Sequence, residues 1–174
     1  MPTSLRIIGS AAFQQCYQLS EINIPEGVID IQSQAFNECI NVNTINIADS
    51  VIHIGLNAFN NTGYYKNGDK WSNNVLYIGN WLIEAKKSLP GEYKIKSTTK
   101  AIADSAFYEC PDLTKLTIPN SVEYIGVSAL QGCSRLISVS LPFVGSSRTA
   151  NKASDAVFGY LFNSSTSSGT NMTQ

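Results

Sequence analysis

Charge is scarce in this sequence. Twelve Lys and Arg face thirteen Asp and Glu, together 14% of the chain, well below the ~25% of an average globular protein. A formal net charge of -1 supplies no basic field to gather nucleic acid or anionic lipid. Histidine is nearly absent: His53 stands alone, and no Ser or Cys with an orienting carboxylate forms a recognisable triad around it. Asp and Glu are scattered, so no acid/base dyad is evident. The glycines of "NTGYYKNGDKW" (61–71) build neither G-x-G-x-x-G nor a phosphate-binding loop, and no cofactor is expected. No apolar run of 18 residues occurs, so membrane insertion is not expected. The opening "MPTSLRIIGS" lacks a charged segment followed by a long apolar one. The chain is therefore expected to be cytosolic or a piece of a longer exported protein. These absences together point away from an enzyme.

What is present is a period. The chain is 43% apolar, and its apolar residues recur. Phe13, Phe36 and Phe59 are 23 apart, Phe107 follows after 48, and Leu130 after a further 23. Five residues before each comes Ile8, Ile31, Ile54, Ile102 and Ile125; three after comes Cys16, Cys39, Thr62, Cys110 and Cys133. A strand-like alternation closes each unit: Ile22-x-Ile24, Ile45-x-Ile47, Leu116-x-Ile118 and Val139-x-Leu141. A fixed period of 20–50 residues signals a solenoid. In "EINI" (21–24) the isoleucines point one way and Glu21 and Asn23 the other, because strand side chains alternate. Pro25 ends the strand by withholding a donor. The A-F-x-x-C segment is expected to return as a short helical turn, its Ala, Phe and Cys on one buried face. One such unit cannot bury its own apolar face, whereas stacked neighbours can.

The stretches "IGSAAFQQCYQLSEINIPEGV" (8–28) and "IADSAFYECPDLTKLTIPNSVEYIGVSAL" (102–130) resemble the BspA-like branch of leucine-rich repeats. The match runs over about residues 4–142. The resemblance implies a right-handed α/β solenoid with a parallel β-sheet on one face and short helical turns on the other. It also implies a place outside the cell or at its surface, in adhesion to host matrix or to other cells.

Pro2 lies 23 before Pro25, so the chain is expected to start inside a repeat, as a fragment of a longer protein. A repeat domain is expected over 1–142. An irregular capping or inter-block segment follows over 143–163, then a Ser/Thr-rich tail over 164–174 that is expected to be disordered. The 48-residue spacing reads as 23 plus an insertion of 25 at about 63–92. Within it "VLYI-GN-WLIEA" predicts a β-hairpin on a Gly-Asn turn, packed as a decoration beside the solenoid. Counting back from Phe107 puts Tyr93 and Ile95 at the positions of Ile22 and Ile24. Five solenoid strands follow: 21–24, 44–47, 93–95, 115–118 and 138–141.

The four cysteines share one repeat position, which predicts buried free thiols. A Cys16–Cys39 or Cys110–Cys133 bridge is the lesser alternative, and a metal site the least. His53 reads as a surface or half-buried spacer. Two surfaces remain as binding candidates. One is the strand face, with Glu21, Asn23, Thr44, Asn46, Lys94, Lys115, Thr117, Ser138 and Ser140; the plainer reading is an ordinary solvated sheet. The other is the aromatic insertion, with Tyr64, Tyr65, Trp71, Tyr77 and Trp81, which can stack on sugars or anchor a protein. Equally, they can form a satellite core. The expected function is non-catalytic recognition of a host or neighbouring-cell protein. A structural spacer in a larger surface protein and a glycan-binding module stand as alternatives.

Overall fold

The computed structural model describes residues 4–150 and 158–162; the tail at 164–174 lies outside them. In chain order the elements are β1 (Ile7–Ile8), β2 (Glu21–Ile24), β3 (Asp30–Ile31), β4 (Thr44–Ile47), β5 (His53–Ile54), α1 (Gly63–Lys66), β6 (Trp71–Ser72), β7 (Val75–Ile78), β8 (Trp81–Ala85), β9 (Gly91–Lys94), β10 (Ala101–Ile102), β11 (Leu113–Thr117), β12 (Tyr124–Ile125), β13 (Ser138–Ser140) and α2 (Phe158–Phe162).

The repeat winds into a solenoid. In β2 the isoleucines are buried while Glu21 and Asn23 face solvent. Ile22 pairs with Ile45 and Ile24 with Ile47, in parallel register. A second, shorter strand in each coil stacks the same way, Ile8 on Ile31 on Ile54. The phenylalanines lie as a column: Phe13 and Phe36 are 5.1 Å apart at 2°, and Phe36 and Phe59 5.6 Å apart at 1°.

The A-F-x-x-C segments are not helical, which corrects one expectation. An α-helix sends every N–H to the fourth residue back. Here only alternate N–H groups stay within the coil, as Ala12 to Gly9, Gln14 to Ala11 and Cys16 to Phe13. The others cross to the next coil: Ala11 to Ser33, Phe13 to Ala35 and Gln15 to Asn37, at 2.8–3.0 Å. Residues four apart, such as Ala11 and Gln15 or Gln34 and Glu38, take φ near +60°. Each segment is thus a turn-rich ribbon that pairs with its neighbours like a strand. Stacking satisfies its backbone, and one coil alone cannot. Spacing of three or four residues fits a helix and this ribbon equally well, so the pattern did not separate them.

The 48-residue spacing is a second correction. Leu82 of β8 pairs in parallel with Ile102 of β10, which pairs in turn with Ile125. Leu82 therefore holds the short-strand position of its own coil, 28 residues after Ile54 and 20 before Ile102. The segment is a divergent coil rather than an appendage. β7 and β8 pair antiparallel across Gly79 and Asn80, and all four residues of β7 are buried. Leu76, Ile78, Trp81 and Ile83 join the core of the N-terminal coils. Val75, Tyr77, Leu82 and Ala85 join that of the C-terminal coils. Alternating strand side chains thus make the pair a septum shared by two cores. It also divides the strand face: β2 and β4 form one sheet, and β9, β11 and β13 another.

At the C-terminal end, α2 lies against the last ribbon. Ser128 and Leu130 donate to the carbonyls of Tyr160 and Leu161 at 2.8 Å, and Leu161 is fully buried.

All four cysteines are free thiols; Cys39, Cys110 and Cys133 are buried and Cys16 is half-buried. Cys39 Sγ donates to the Phe13 carbonyl at 2.9 Å, and Cys133 Sγ to that of Phe107 at 3.1 Å, so the thiol is a small core residue that also ties coils together. Thr62 breaks the series because its position starts α1: its Oγ1 donates to the Phe59 carbonyl and accepts from Tyr65 N. Burial pushes the Cys110 thiol up to about 12 and raises Cys39 and Cys133 as well. Since the thiolate is the nucleophile, native protein at pH 8 is expected to alkylate at Cys16 first. The other three should label at least tenfold more slowly, and all four fast in denaturant. Mass spectrometry of iodoacetamide adducts checks this, and equal native rates would contradict the buried placement.

Candidate functional site

Of the strand-face residues, Glu21, Asn23, Thr44, Asn46, Lys94, Lys115, Ser138 and Ser140 are exposed and Thr117 half-buried. They lie on two sheets, not one. On the first, Glu21 sits beside Thr44 and Asn23 beside Asn46, with Asn46 Nδ2 donating to Asn23 Oδ1 at 2.7 Å. On the second, Lys115 pairs with Glu92 at 3.3 Å, and Thr117 lies between Lys94 and Ser140. Glu92 belongs to this face, and its place was legible as the residue before Tyr93.

The aromatic candidates turn inward. Trp81 is 3% and Tyr77 6% exposed, which removes both from the accessible surface. Trp81 Nε1 donates to the Val51 carbonyl at 3.0 Å, and the Tyr77 and Tyr93 hydroxyls meet at 3.1 Å. Tyr64, Tyr65 and Trp71 are half-buried. Their polar ends are bonded to the Tyr77 carbonyl, the Glu84 carboxylate and the Tyr65 carbonyl respectively.

Sequence reasoning missed the role of His53. Its Nδ1 meets Asp30 at 2.5 Å and its Nε2 meets Asp104 at 3.2 Å, while Tyr124 packs edge-on against the ring with centroids 5.4 Å apart. Asp30 lies 23 residues before His53, so that contact was readable from the period. Asp104 comes from the far side of the septum, where no period leads. With a carboxylate on each nitrogen, the ring is a clasp between the two halves and has no nitrogen left to serve as a general base. Burial opposes its charge, but the hydrogen bonds to Asp104 and Asp30, reinforced by their negative charges, prevail and raise it from 6.5 to about 9. A raised pKa means the clasp stabilises the fold fully below pH 6.5 and is lost as pH climbs through 9. The clasp's share of the unfolding free energy is therefore expected to fall by about 1.5 kcal/mol between pH 6.5 and 8, below the range in which thiols ionise. His53→Gln should flatten that slope, as read by urea titrations across the range.

A cavity of about 450 Å³ opens where the septum interrupts the ribbons, lined among others by Leu56, Ala58, Phe59, Ile83, Ala103 and Tyr108. Among the described residues no group of three or more Cys, His, Asp or Glu is arranged to hold a metal. No helix there is long and apolar enough to cross a membrane.

Coils of one short and one longer parallel strand, joined by hydrogen-bonded ribbons over a Phe and Cys core, define a leucine-rich repeat solenoid. The BspA type leucine rich repeat region matches residues 1–91 and 70–166, in six copies, and the chain belongs to that family. Among the described residues the short-strand positions form two stacks of three, Ile8, Ile31 and Ile54 in one sheet and Leu82, Ile102 and Ile125 in another. Comparison with curated proteins gives no match. Among solved structures, the chain is similar to a leucine-rich repeat protein from Bacteroides ovatus at 33% identity over 79% of this chain and 29% of that one, with a TM-score of 0.39. It is similar to the leucine rich repeat protein of T. pallidum at 25% identity over 79% and 53%, with a TM-score of 0.40. A leucine rich cell surface protein from Faecalibacterium prausnitzii is 22% identical over 81% and 52%, with a TM-score of 0.41. The chain spans from under a third to about half of these chains' lengths.

Proposed function

We propose that this chain is a non-catalytic recognition module at a cell surface, binding a host or neighbouring-cell protein through the strand face of its N-terminal coils. The observation that carries this reading is the row of short, exposed polar side chains on β2 and β4. Asn23 and Asn46 are already aligned by their mutual hydrogen bond, so little side-chain freedom remains to be lost on binding. Family membership supports the surface location. A glycan-binding role through the insertion would rest on Tyr64, Tyr65 and Trp71 alone, since Tyr77 and Trp81 are internal.

Surface plasmon resonance against a panel of immobilised extracellular-matrix proteins tests the reading. Micromolar or tighter binding to at least one is expected, weakened tenfold or more by Asn23→Arg and by Asn46→Arg with no change in unfolding midpoint. No binding at micromolar concentrations would favour a spacer in a larger surface protein.

A further inference from the structure

The ribbons leave one edge open. Between regular coils, the second ribbon donates to the third from Gln34, Phe36 and Glu38, whose N–H groups reach the carbonyls of Leu56, Ala58 and Asn60 at 2.8–2.9 Å. The fifth donates to the sixth in the same way, from Ser105, Phe107 and Glu109. At the C-terminal end, α2 receives Ser128 and Leu130. In the third ribbon the equivalent donors are Asn57, Phe59 and Asn61. None of these three N–H groups has a hydrogen-bond partner among the described residues. Across the septum the equivalent acceptors are the carbonyls of Asp104, Ala106 and Tyr108. Only Ala106 is used, by Ala85 N at 2.7 Å; the other two accept nothing among the described residues.

Asn57 and Phe59 of one edge and Asp104 and Tyr108 of the other line the 450 Å³ cavity, a volume within the roughly 300–1,000 Å³ of ligand pockets. Backbone donors at alternate residues are the template that an extended chain pairs with; of the three residues, Phe59 is buried, Asn61 half-buried and Asn57 exposed. Ala85 shows that extended chain does pair here, because it is the last residue of strand β8 and it bonds to a ribbon carbonyl. Leu56 and Tyr108, 45% and 41% exposed, flank the cavity and offer apolar contact to a guest's side chains.

We infer that the cavity between the third and fifth ribbons is a binding groove for an extended peptide segment of another protein, added as a strand along the Asn57–Asn61 edge. The segment's carbonyls accept from Asn57, Phe59 and Asn61, and its apolar side chains rest on Leu56 and Tyr108. This is strand addition, except that the receiving edge is a turn-rich ribbon. The site lies on the ribbon side and stands apart from the strand face proposed above.

Displayed random 12-residue peptides selected on the full chain supply the probe, and amide hydrogen exchange by NMR supplies the readout. Without peptide, Asn57 and Asn61 amides should exchange at least tenfold faster than those of Gln34 and Glu38. A selected peptide should slow Asn57, Phe59 and Asn61 together by tenfold or more. Asn60→Trp, which fills the groove, and Tyr108→Ser, which removes an exposed wall, should each weaken that peptide at least tenfold while leaving the unfolding midpoint in place. Asn23→Arg should leave it unchanged, so failure here does not touch the strand-face reading, and failure there does not touch this one. The inference is overturned if no peptide is selected, or if bound peptide leaves those amides fast or ignores both groove variants. It is equally overturned if the three amides are already slow in the unliganded chain, because the groove would then be filled by the chain itself.

Discussion

Phe36→Ala is expected to cost about 3–5 kcal/mol of folding free energy. The ring is fully buried and lies between two others, 5.1 Å from Phe13 and 5.6 Å from Phe59. Its loss removes the transfer free energy of the largest core side chain in its coil and ends two aromatic contacts at once, each worth roughly 0.5–1.5 kcal/mol. The neighbours cannot slide in to close the void. Phe13 N is tied to the Ala35 carbonyl and Phe36 N to that of Ala58, both at 2.8 Å, which fixes the coil spacing. For a chain of this size the melting temperature should fall by roughly 6–20 °C. Phe13→Ala should cost less, because that ring is half-buried at one end of the column. Urea denaturation checks both; a Phe36→Ala loss below about 1 kcal/mol would mean the column does not carry the core.

Trp81→Ala is the second large effect, at about 3–5 kcal/mol. Trp81 is the septum's main anchor in the N-terminal core. Its indole N–H holds the Val51 carbonyl, and its backbone pairs with Ala101 of the C-terminal coils. Removing it opens a cavity and strips a buried carbonyl of its donor, a further penalty of roughly 1–3 kcal/mol where water does not enter. Because solenoid stability is a sum over repeats and their interfaces, damage at the one irregular interface should also reduce cooperativity. We expect the urea m-value to fall, or the transition to split, as the two halves unfold separately. Trp81→Phe keeps most of the packing and should cost about 1 kcal/mol with the transition intact. A cooperative Trp81→Ala transition at the wild-type midpoint would show that the contacts of Asp104 with His53 and with the Ile54 carbonyl are enough to join the halves.

The contrast between these two residues measures what could be read in advance. Phe36 is visible because identical letters recur 23 positions either side, and in a stack the neighbour in space is the neighbour in period. The same logic reaches Asp30 beside His53 and Cys39 beneath Phe13. Trp81 was legible only as an aromatic in a hairpin. Its neighbours, Val51 on one side and Ala101 on the other, are 30 residues before it and 20 after, distances no repeat marks. A surface-exposed stacking aromatic and a buried anchor have the same letters. For that reason the letters of the insertion fit a ligand surface and a satellite core alike, and the structure makes its hairpin a wall shared by two cores.

The period alone determined the stacking, the inward Ile, Phe and Cys positions, the free thiols and the outward polar strand face. Each follows from one unit repeated on itself, where local sequence and nearest neighbour are the same information. The structure decided how the chain crosses its own irregularity. It made ribbons of the expected helical turns, turned a supposed appendage into a coil, closed His53 between two carboxylates and left one ribbon edge without a hydrogen-bond partner among the described residues. Those outcomes depend on contacts between units that are not copies of each other, and a repeat carries no record of what it will meet where it stops repeating.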